Sequence, residues 1–287
     1  MALRLLIPKG RIFENIAHLF AESGFSLNLN DRTYRPRLGA DWIDAKIMKP
    51  QNVGELLELG SHDAGFTGID WITETGADVI EIMDLGFDKV RIVAAVPLGN
   101  EELVKSKRIV VATEYGNIAA KYLSEKRYDF KIVRTYGATE VFPPDDADMI
   151  IDNTASGQTL HDNGLSIIDT VLVSSTRFVA SKEAMQDIEK KEQIEKLAML
   201  FRAVLEGREK VMLEMNVSEQ YFKKMIGALP AMRSPTVAPL YSSDGGSGGG
   251  YAVKIAVKKN EVPDLIPRLK KLGAADIVEY ELRKVVY

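Results

Sequence analysis

The chain has 287 residues and no cysteine, which excludes a disulfide framework, a thiolate nucleophile and a Cys-ligated zinc site. Its net charge of −4 argues against a nucleic-acid binder, although 37 Lys and Arg leave material for local phosphate pockets. The three histidines (His18, His62 and His161) show no HxH or HExxH spacing, so any metal is expected to be a hard cation such as Mg2+, held by carboxylates and substrate phosphates.

The apolar run before Lys9 is too short for a leader, and nothing reaches the ~18 apolar residues of a spanning helix, so a cytosolic location without a membrane partner is expected. Leu3–Ile7 reads as a buried strand. Arg11–Ser23 reads as an amphipathic helix with Ile12, Ile16, Leu19 and Phe20 on one face. Trp42–Met48 (strand), Val53–Leu59 (helix) and Asp63–Ile69 (strand rich in Gly and Ala) follow, and this repetition implies a largely parallel sheet. A second α/β unit runs from about Lys89 to Arg177. Its expected strands are Val90–Val96, Arg108–Thr113, Lys131–Thr135, Asp148–Ile151 and Ile167–Ser174, with a helix at Asn117–Lys126. Glu183–Gly207 is expected as one long helix whose apolar stripe starts at Ile188, and a return of this helix to the first unit would make that unit discontinuous.

The last part changes character. Lys210–Val217, Glu219–Leu229, Thr236–Ser242, Tyr251–Lys258, Glu261–Leu272 and Asp276–Val286 spell βαββαβ, the ferredoxin-like order. Glycines 245–250 read as a flexible hairpin loop. A phosphate cradle is the alternative, but neither a helix nor GK[ST] follows. The fold class is therefore α/β: a two-lobed, periplasmic-binding-protein-like core plus a C-terminal ferredoxin-like domain. The expected boundaries are 1–87 plus 180–209 for lobe I, 88–179 for lobe II and 210–287 for the last domain.

The segment Met149–Leu160 is the most informative. An apolar strand ends in Asp152 and runs through Asn153, Thr154, Ala155, Ser156, Gly157, Gln158 and Thr159 into a helical stretch. Backbone N–H groups and hydroxyls at such a turn suit a phosphate monoester, and a carboxylate at the strand end could accept ribose hydroxyls. An ordinary βα turn whose hydroxyls cap the next helix fits the spacing equally well. Lys9 and Arg11 flank Gly10 just after the first strand. Cations at a helix start oppose its dipole, which favours phosphate binding over a solvated surface. Asp70 reads as a helix N-cap or a cleft residue, and Arg35 and Arg37 as phosphate ligands or an exposed basic loop. His161 reads as a surface residue, and His18 and His62 as structural or exposed.

These motifs together resemble the ATP phosphoribosyltransferase family. Ile7–Arg11 is similar to its N-terminal motif, Asp63–Ile72 to its GITGIDW stretch, and Met149–Leu160 to its phosphoribosyl-diphosphate (PRPP) loop. Thr113–Tyr115, Glu140 and Val173–Arg177 fall in family order, and Ser234–Leu240 resembles the regulatory domain of the long form. Asp152 is followed by Asn153, where common phosphoribosyltransferases carry two adjacent acids.

The resemblance implies a pentosyltransferase that joins adenine N1 of ATP to PRPP, releases diphosphate and is inhibited by histidine. It implies Lys9, Arg11 and Asp152 as catalytic residues, and Asp152 to Thr159 around PRPP. It places Lys9, Gly10, Arg11, Thr67, Gly68, Glu114 and Glu140 around ATP and the diphosphate. Asn216, Met232, Ser234 and Thr236 would hold histidine, and a Mg2+-dependent homo-oligomer, dimer or hexamer, would result. Two rival readings are a non-catalytic two-lobed receptor and an amino-acid sensor. The PRPP-like loop and Lys9-Gly10-Arg11 argue against the sensor, and the lack of a visible leader or DNA-binding segment argues against the receptor.

Overall fold

A computed structural model describes residues 1–27, 34–102, 107–230, 234–241 and 247–287. The chain forms two compact units, Met1–Ala198 and Met199–Tyr287.

The first unit starts with β1 (Leu3–Pro8), whose residues are nearly all buried, as a central strand covered on both faces requires. Gly10 turns the chain with φ +87° into α1 (Arg11–Ser23), which buries Ile16, Leu19 and Phe20 and ends on left-handed Gly24. Next come β2 (Ile43–Met48), α2 (Val53–Glu58), β3 (Ala64–Gly68), α3 (Ile69–Thr75) and β4 (Ile80–Asp84). β3 carries Gly65 because a Cβ there would lie 2.9 Å from both Leu6 Cβ and Val53 Cγ1. The chain then crosses to a second sheet through β5 (Val90–Pro97), β6 (Ile109–Thr113), α4 (Gly116–Glu125), β7 (Phe130–Arg134), β8 (Met149–Thr154), α5 (Gln158–Asp162) and β9 (Leu165–Ser174). It returns at once as β10 (Thr176–Ala180).

The strand orders are β2-β1-β3-β10-β4 and β7-β6-β8-β5-β9. Each sheet has a parallel core, with β10 antiparallel to β3 and β4, and β5 antiparallel to β8 and β9. The sheets are therefore mixed rather than largely parallel, because a chain that crosses twice must enter and leave each sheet against the direction of its core. The two crossings are pinned together: the Asp84 carboxylate accepts hydrogen bonds from Gly86 N–H and from the Ser175 hydroxyl, both at 2.8 Å, and pairs with Arg177.

The helix expected over 183–207 is two helices, α6 (Lys182–Gln186) and α7 (Ile188–Glu209), separated at extended Asp187. Ile188, taken as the start of the apolar stripe, is 78% exposed, while Ile194, Leu197, Phe201 and Val204 are buried. Ser181 caps α6 by accepting the Ala184 N–H.

The second unit contains β11 (Lys210–Ser218), α8 (Glu219–Ile226), β12 (Thr236–Tyr241), β13 (Ser247–Lys258), α9 (Val262–Lys271) and β14 (Ala274–Glu281), with sheet order β12-β13-β11-β14. Alternate residues of β11 and β13, from Val211 to Val217 and from Val253 to Val257, pack with Met225, Leu265 and Leu269 of the helices. Residues 247–250 of the glycine-rich stretch are not loop but the start of β13, where Gly250 lies opposite Ser218. A Cβ at Gly250 would meet Val217 O at 2.7 Å, so close strand approach explains that glycine. Residues 242–246 lie outside the described residues. Among the described residues no helix is long and apolar enough to cross a membrane. The α/β class holds: a two-lobed, periplasmic-binding-protein-like core and a separate βαββαβ sheet.

Candidate active site

Parallel β1 and β3 bring the Lys9–Arg11 turn and Gly68 to one edge of the first sheet. Parallel β6 and β8 bring Glu114 and the Asp152–Thr159 turn to one edge of the second. A cavity of about 250 Å³ between the lobes is lined by Arg11, Gly68 and Asp70 from one side and by Glu114, Tyr115 and Asn153 from the other. A neighbouring cavity of about 280 Å³ reaches Lys49, Trp71, Glu74, Glu114 and Arg134.

Helix α3 makes the joint between the lobes. Asp70 is 5% exposed and is not an N-cap; it sits in the first turn of α3, and Gly68 holds the cap position. Its carboxylate accepts hydrogen bonds from Tyr115 Oη at 3.0 Å and Ser174 Oγ at 2.6 Å. Asn153 Nδ2 donates to the same tyrosine oxygen at 3.2 Å, and Trp71 stacks on the Tyr115 ring at 4.6 Å. Burial, with the adjacent Asp70 carboxylate, pushes the Tyr115 hydroxyl far above its ordinary range, so it stays a proton donor. Glu74, also 5% exposed, accepts the N–H groups of Asn117 and Ile118 at 3.0 Å and so caps α4 from the other lobe.

The Asp152 carboxyl is pushed up to about 6 by burial and by the charges of Glu114 and Glu140, against the opposing hydrogen bonds of Asn153 N–H and Thr139. In the following turn, Thr154 Oγ1 accepts Gly157 N–H at 2.9 Å and Ser156 Oγ accepts Gln158 N–H at 3.3 Å. Gly157 has φ +87°, and a Cβ on it would lie 4.0 Å from Arg91 Nη2, a cation not singled out from the sequence. Ala155, Ser156, Gln158 and Thr159 are exposed, and His161 is a surface residue.

The other candidates are placed as follows. Thr67 is fully buried and gives its hydroxyl to Pro50 O at 2.9 Å. Lys9 is exposed, with Nζ 6.0 Å from the Tyr34 ring centre. Arg35 pairs with Asp44 at 3.0 Å, and Arg37 is exposed. Glu140 is half-buried beside buried Thr139. Among the described residues no group of three or more His, Cys, Asp or Glu forms a metal cage. The carboxylate of Asp152, with Glu114 and Glu140 close enough to act on its charge, is an oxygen donor set of the kind that suits a hard cation.

In the second unit, Asn216 lies opposite Ala252 and Ala252 opposite Ala238, two residues from Thr236 along β12, so Asn216 and Thr236 share a sheet face. Asn216 donates to Asp276 Oδ2 at 2.9 Å, Ser234 is exposed, and Met232 lies outside the described residues.

The family model described as ATP phosphoribosyltransferase matches residues 49–203, and one described as HisG, C-terminal domain, matches 207–284. The chain belongs to the ATP phosphoribosyltransferase family. The ATP phosphoribosyltransferase of Chlorobium phaeovibrioides is 37% identical over 292 residues, covering 99% of this chain and 97% of the relative. That of Pelotomaculum thermopropionicum is 38% identical over 297 residues, covering all of both. The solved ATP phosphoribosyl transferase (HisG:HisZ) complex from Thermotoga maritima superposes with TM-score 0.62 at 26% identity, over 69% of this chain and 98% of that one. Family membership makes this an enzyme of the pentosyltransferase class.

Residue order alone did not single out Trp71, Glu74, Asp88 or Arg91. Trp71 entered only as part of the Asp63–Ile72 motif, and Glu74 and Asp88 meet partners remote in sequence.

Asp152 has a testable thermodynamic consequence. Its folded value near 6 exceeds the ordinary 3.8, so its contribution to stability is complete below about pH 4 and is lost as pH rises through 6. Asp152→Asn should stabilise the fold by about 1–3 kcal/mol at pH 8 and by far less at pH 4, measured by urea unfolding at both values. Equal effects at the two pH values would show that the carboxylate is not desolvated.

Proposed function

We propose that the cleft condenses ATP with PRPP, adenine N1 attacking C1′ of the donor to give N1-(5-phosphoribosyl)-ATP and diphosphate, the first step of histidine biosynthesis. One observation carries this reading. Arg11, from the basic turn after β1, and Asn153, from the acidic strand end of β8, line the same cavity. A polyanionic leaving group and an electron-poor sugar need a cation and a carboxylate within reach of each other, and Arg11 and Glu114 both line this cavity.

The chemistry asks three things of the chain. Holding two polyanions in register can contribute up to about 7–11 kcal/mol through lost bimolecular entropy. Thr154 to Thr159 take the 5-phosphate, the backbone N–H groups of Gly157 and Gln158 exchanging their local hydroxyl acceptors for phosphate oxygens, with Arg91 alongside. Asp152 accepts the ribose hydroxyls and, ionised above about pH 6, faces the positive charge that develops on the ring. Lys9 and Arg11, with Gly10 allowing close backbone approach, receive the departing diphosphate. Mg2+ bound through the substrate phosphates would add neutralising charge to that leaving group. Gly68, Glu114 and Glu140 border the nucleotide, and no covalent nucleophile is needed.

The shared sheet face of Asn216 and Thr236, with Ser234 at the strand entry, supports this unit as the site of feedback inhibition by histidine. The carboxylate of Asp276, held by Asn216, can meet the effector's ammonium. The enzyme acts in the cytoplasm as a homo-oligomer, dimer or hexamer.

Mixed with ATP, PRPP and Mg2+, the protein should release diphosphate. Lys9→Ala and Arg11→Ala should each lower turnover on the order of 10²-fold with unchanged circular dichroism, as expected for lost transition-state charge partners. Near-normal turnover in both removes that turn from the site. Asn216→Ala should raise the half-inhibiting histidine concentration about tenfold or more, a loss of at least ~1.4 kcal/mol. An unchanged value puts the effector elsewhere.

A further inference from the structure

Asp88 stands on the first crossing between the lobes in a left-handed conformation, φ +54°, that L residues other than Asn, Asp and Gly seldom adopt. Among the described non-glycine residues with positive φ, it alone lines the cleft cavity that contains Arg11. Its side chain is 6% exposed, so its charge needs partners. They come from two separate elements. Asn15 Nδ2 of α1 donates at 2.9 Å, Thr176 Oγ1 of β10 donates at 3.3 Å, and Arg11 Nε of α1 lies 3.6 Å away.

The geometry of a guanidinium gives this arrangement a use. Arginine offers five N–H donors in a rigid plane, and a carboxylate at the Nε side leaves the remaining donors for a second oxyanion. Arg11 is 65% exposed at the cavity, so its Nη groups are accessible to a ligand there. An arginine held only by its own flexible stem would have to lose that freedom each time a phosphate bound. We propose that Asp88 is a positioning residue for the diphosphate site: its carboxylate, fixed by Asn15 and Thr176 on a strained backbone, orients Arg11 so that the outer N–H groups meet the donor's diphosphate. This inference rests on reading Arg11 as a diphosphate ligand. It adds a carboxylate that would otherwise read as an unfavourable charge beside an anion site.

The alternative is that Asp88 merely ties α1 to the crossing and to β10. Asp88→Asn separates the two. Asparagine tolerates the left-handed backbone, its amide oxygen still accepts from Asn15 and its NH2 group can donate to the Thr176 hydroxyl, but the charge facing Arg11 is gone. Asp88→Gly relieves the backbone strain and removes the side chain altogether.

If Asp88 positions Arg11, both variants raise KM for the phosphoribosyl donor about tenfold and lower kcat in the same direction as Arg11→Ala, by less. Asp88→Asn should keep its melting temperature within about 2 °C of the parent. In an Arg11→Ala background, Asp88→Asn should have no further effect on donor KM. A fallen melting temperature with unchanged KM, or the same KM increase with and without Arg11, overturns the proposal.

Calorimetric binding of Mg2+-pyrophosphate gives a readout independent of turnover. Weaker pyrophosphate binding in Asp88→Asn that depends on Arg11 upholds the inference even if the parent forms no phosphoribosyl-ATP, in which case only the reading of the reaction fails. Pyrophosphate binding that is undetectable in the parent, or equal in parent and Asp88→Asn, overturns the inference.

Discussion

Asp70 and Glu74, two carboxylates one turn apart on α3, leave water only because the other lobe gives them donors. Glu74 accepts the first N–H groups of α4, where the helix dipole favours an anion, and Asp70 accepts the Tyr115 and Ser174 hydroxyls. A buried carboxylate without partners costs several kcal/mol, so each lobe completes the other. The joint lies where β3 of one sheet and β6 of the other end, which is where ligands bind in open α/β sheets. Glu114, Tyr115 and Gly68 owe their places beside the cavity to it.

Charges of both signs meet at that joint. Lys9 and Arg11 stand at the end of β1 in one sheet, Arg11 beside Asp88, while on the other lobe burial and the nearby charges of Glu114 and Glu140 raise the Asp152 carboxyl. Like charges crowded together at a half-buried strand end work against folding. Under the proposed function they provide for a substrate that brings its own cations and develops positive charge. The turn from Thr154 to Gln158 shows the same economy. Its hydroxyls accept the turn's own N–H groups, which under the proposed function would pass to a phosphate.

Much of the framework was legible in the sequence. α1 runs over the expected residues because its apolar period and the flanking Gly10 and Gly24 fix both ends. The βαββαβ order of the last unit followed from alternation alone. The short strands β4 and β10 were not legible, since their pairing is set by the chain's double crossing rather than by local pattern. The single helix expected over 183–207 breaks at Asp187, where polar and charged residues give no periodic warning. Gly250 looks like loop by composition yet pairs as strand, because only glycine lets β13 approach Val217 so closely there. In the site, Lys9, Arg11 and Asp152 could be singled out as residue types in a spacing. Glu74, Asp88 and Arg91 could not, because the fold brings them to the site from positions tens of residues away.

The central claim is that the turn from Asp152 to Thr159 holds the phosphorylated ribose of the donor. A crystal structure of the protein soaked with PRPP and Mg2+ tests it most directly. The account requires the 5-phosphate on the N–H groups of residues 154–159, with the ribose hydroxyls on Asp152. Donor density elsewhere in the cleft, with that turn still satisfying its own hydroxyls, would contradict it.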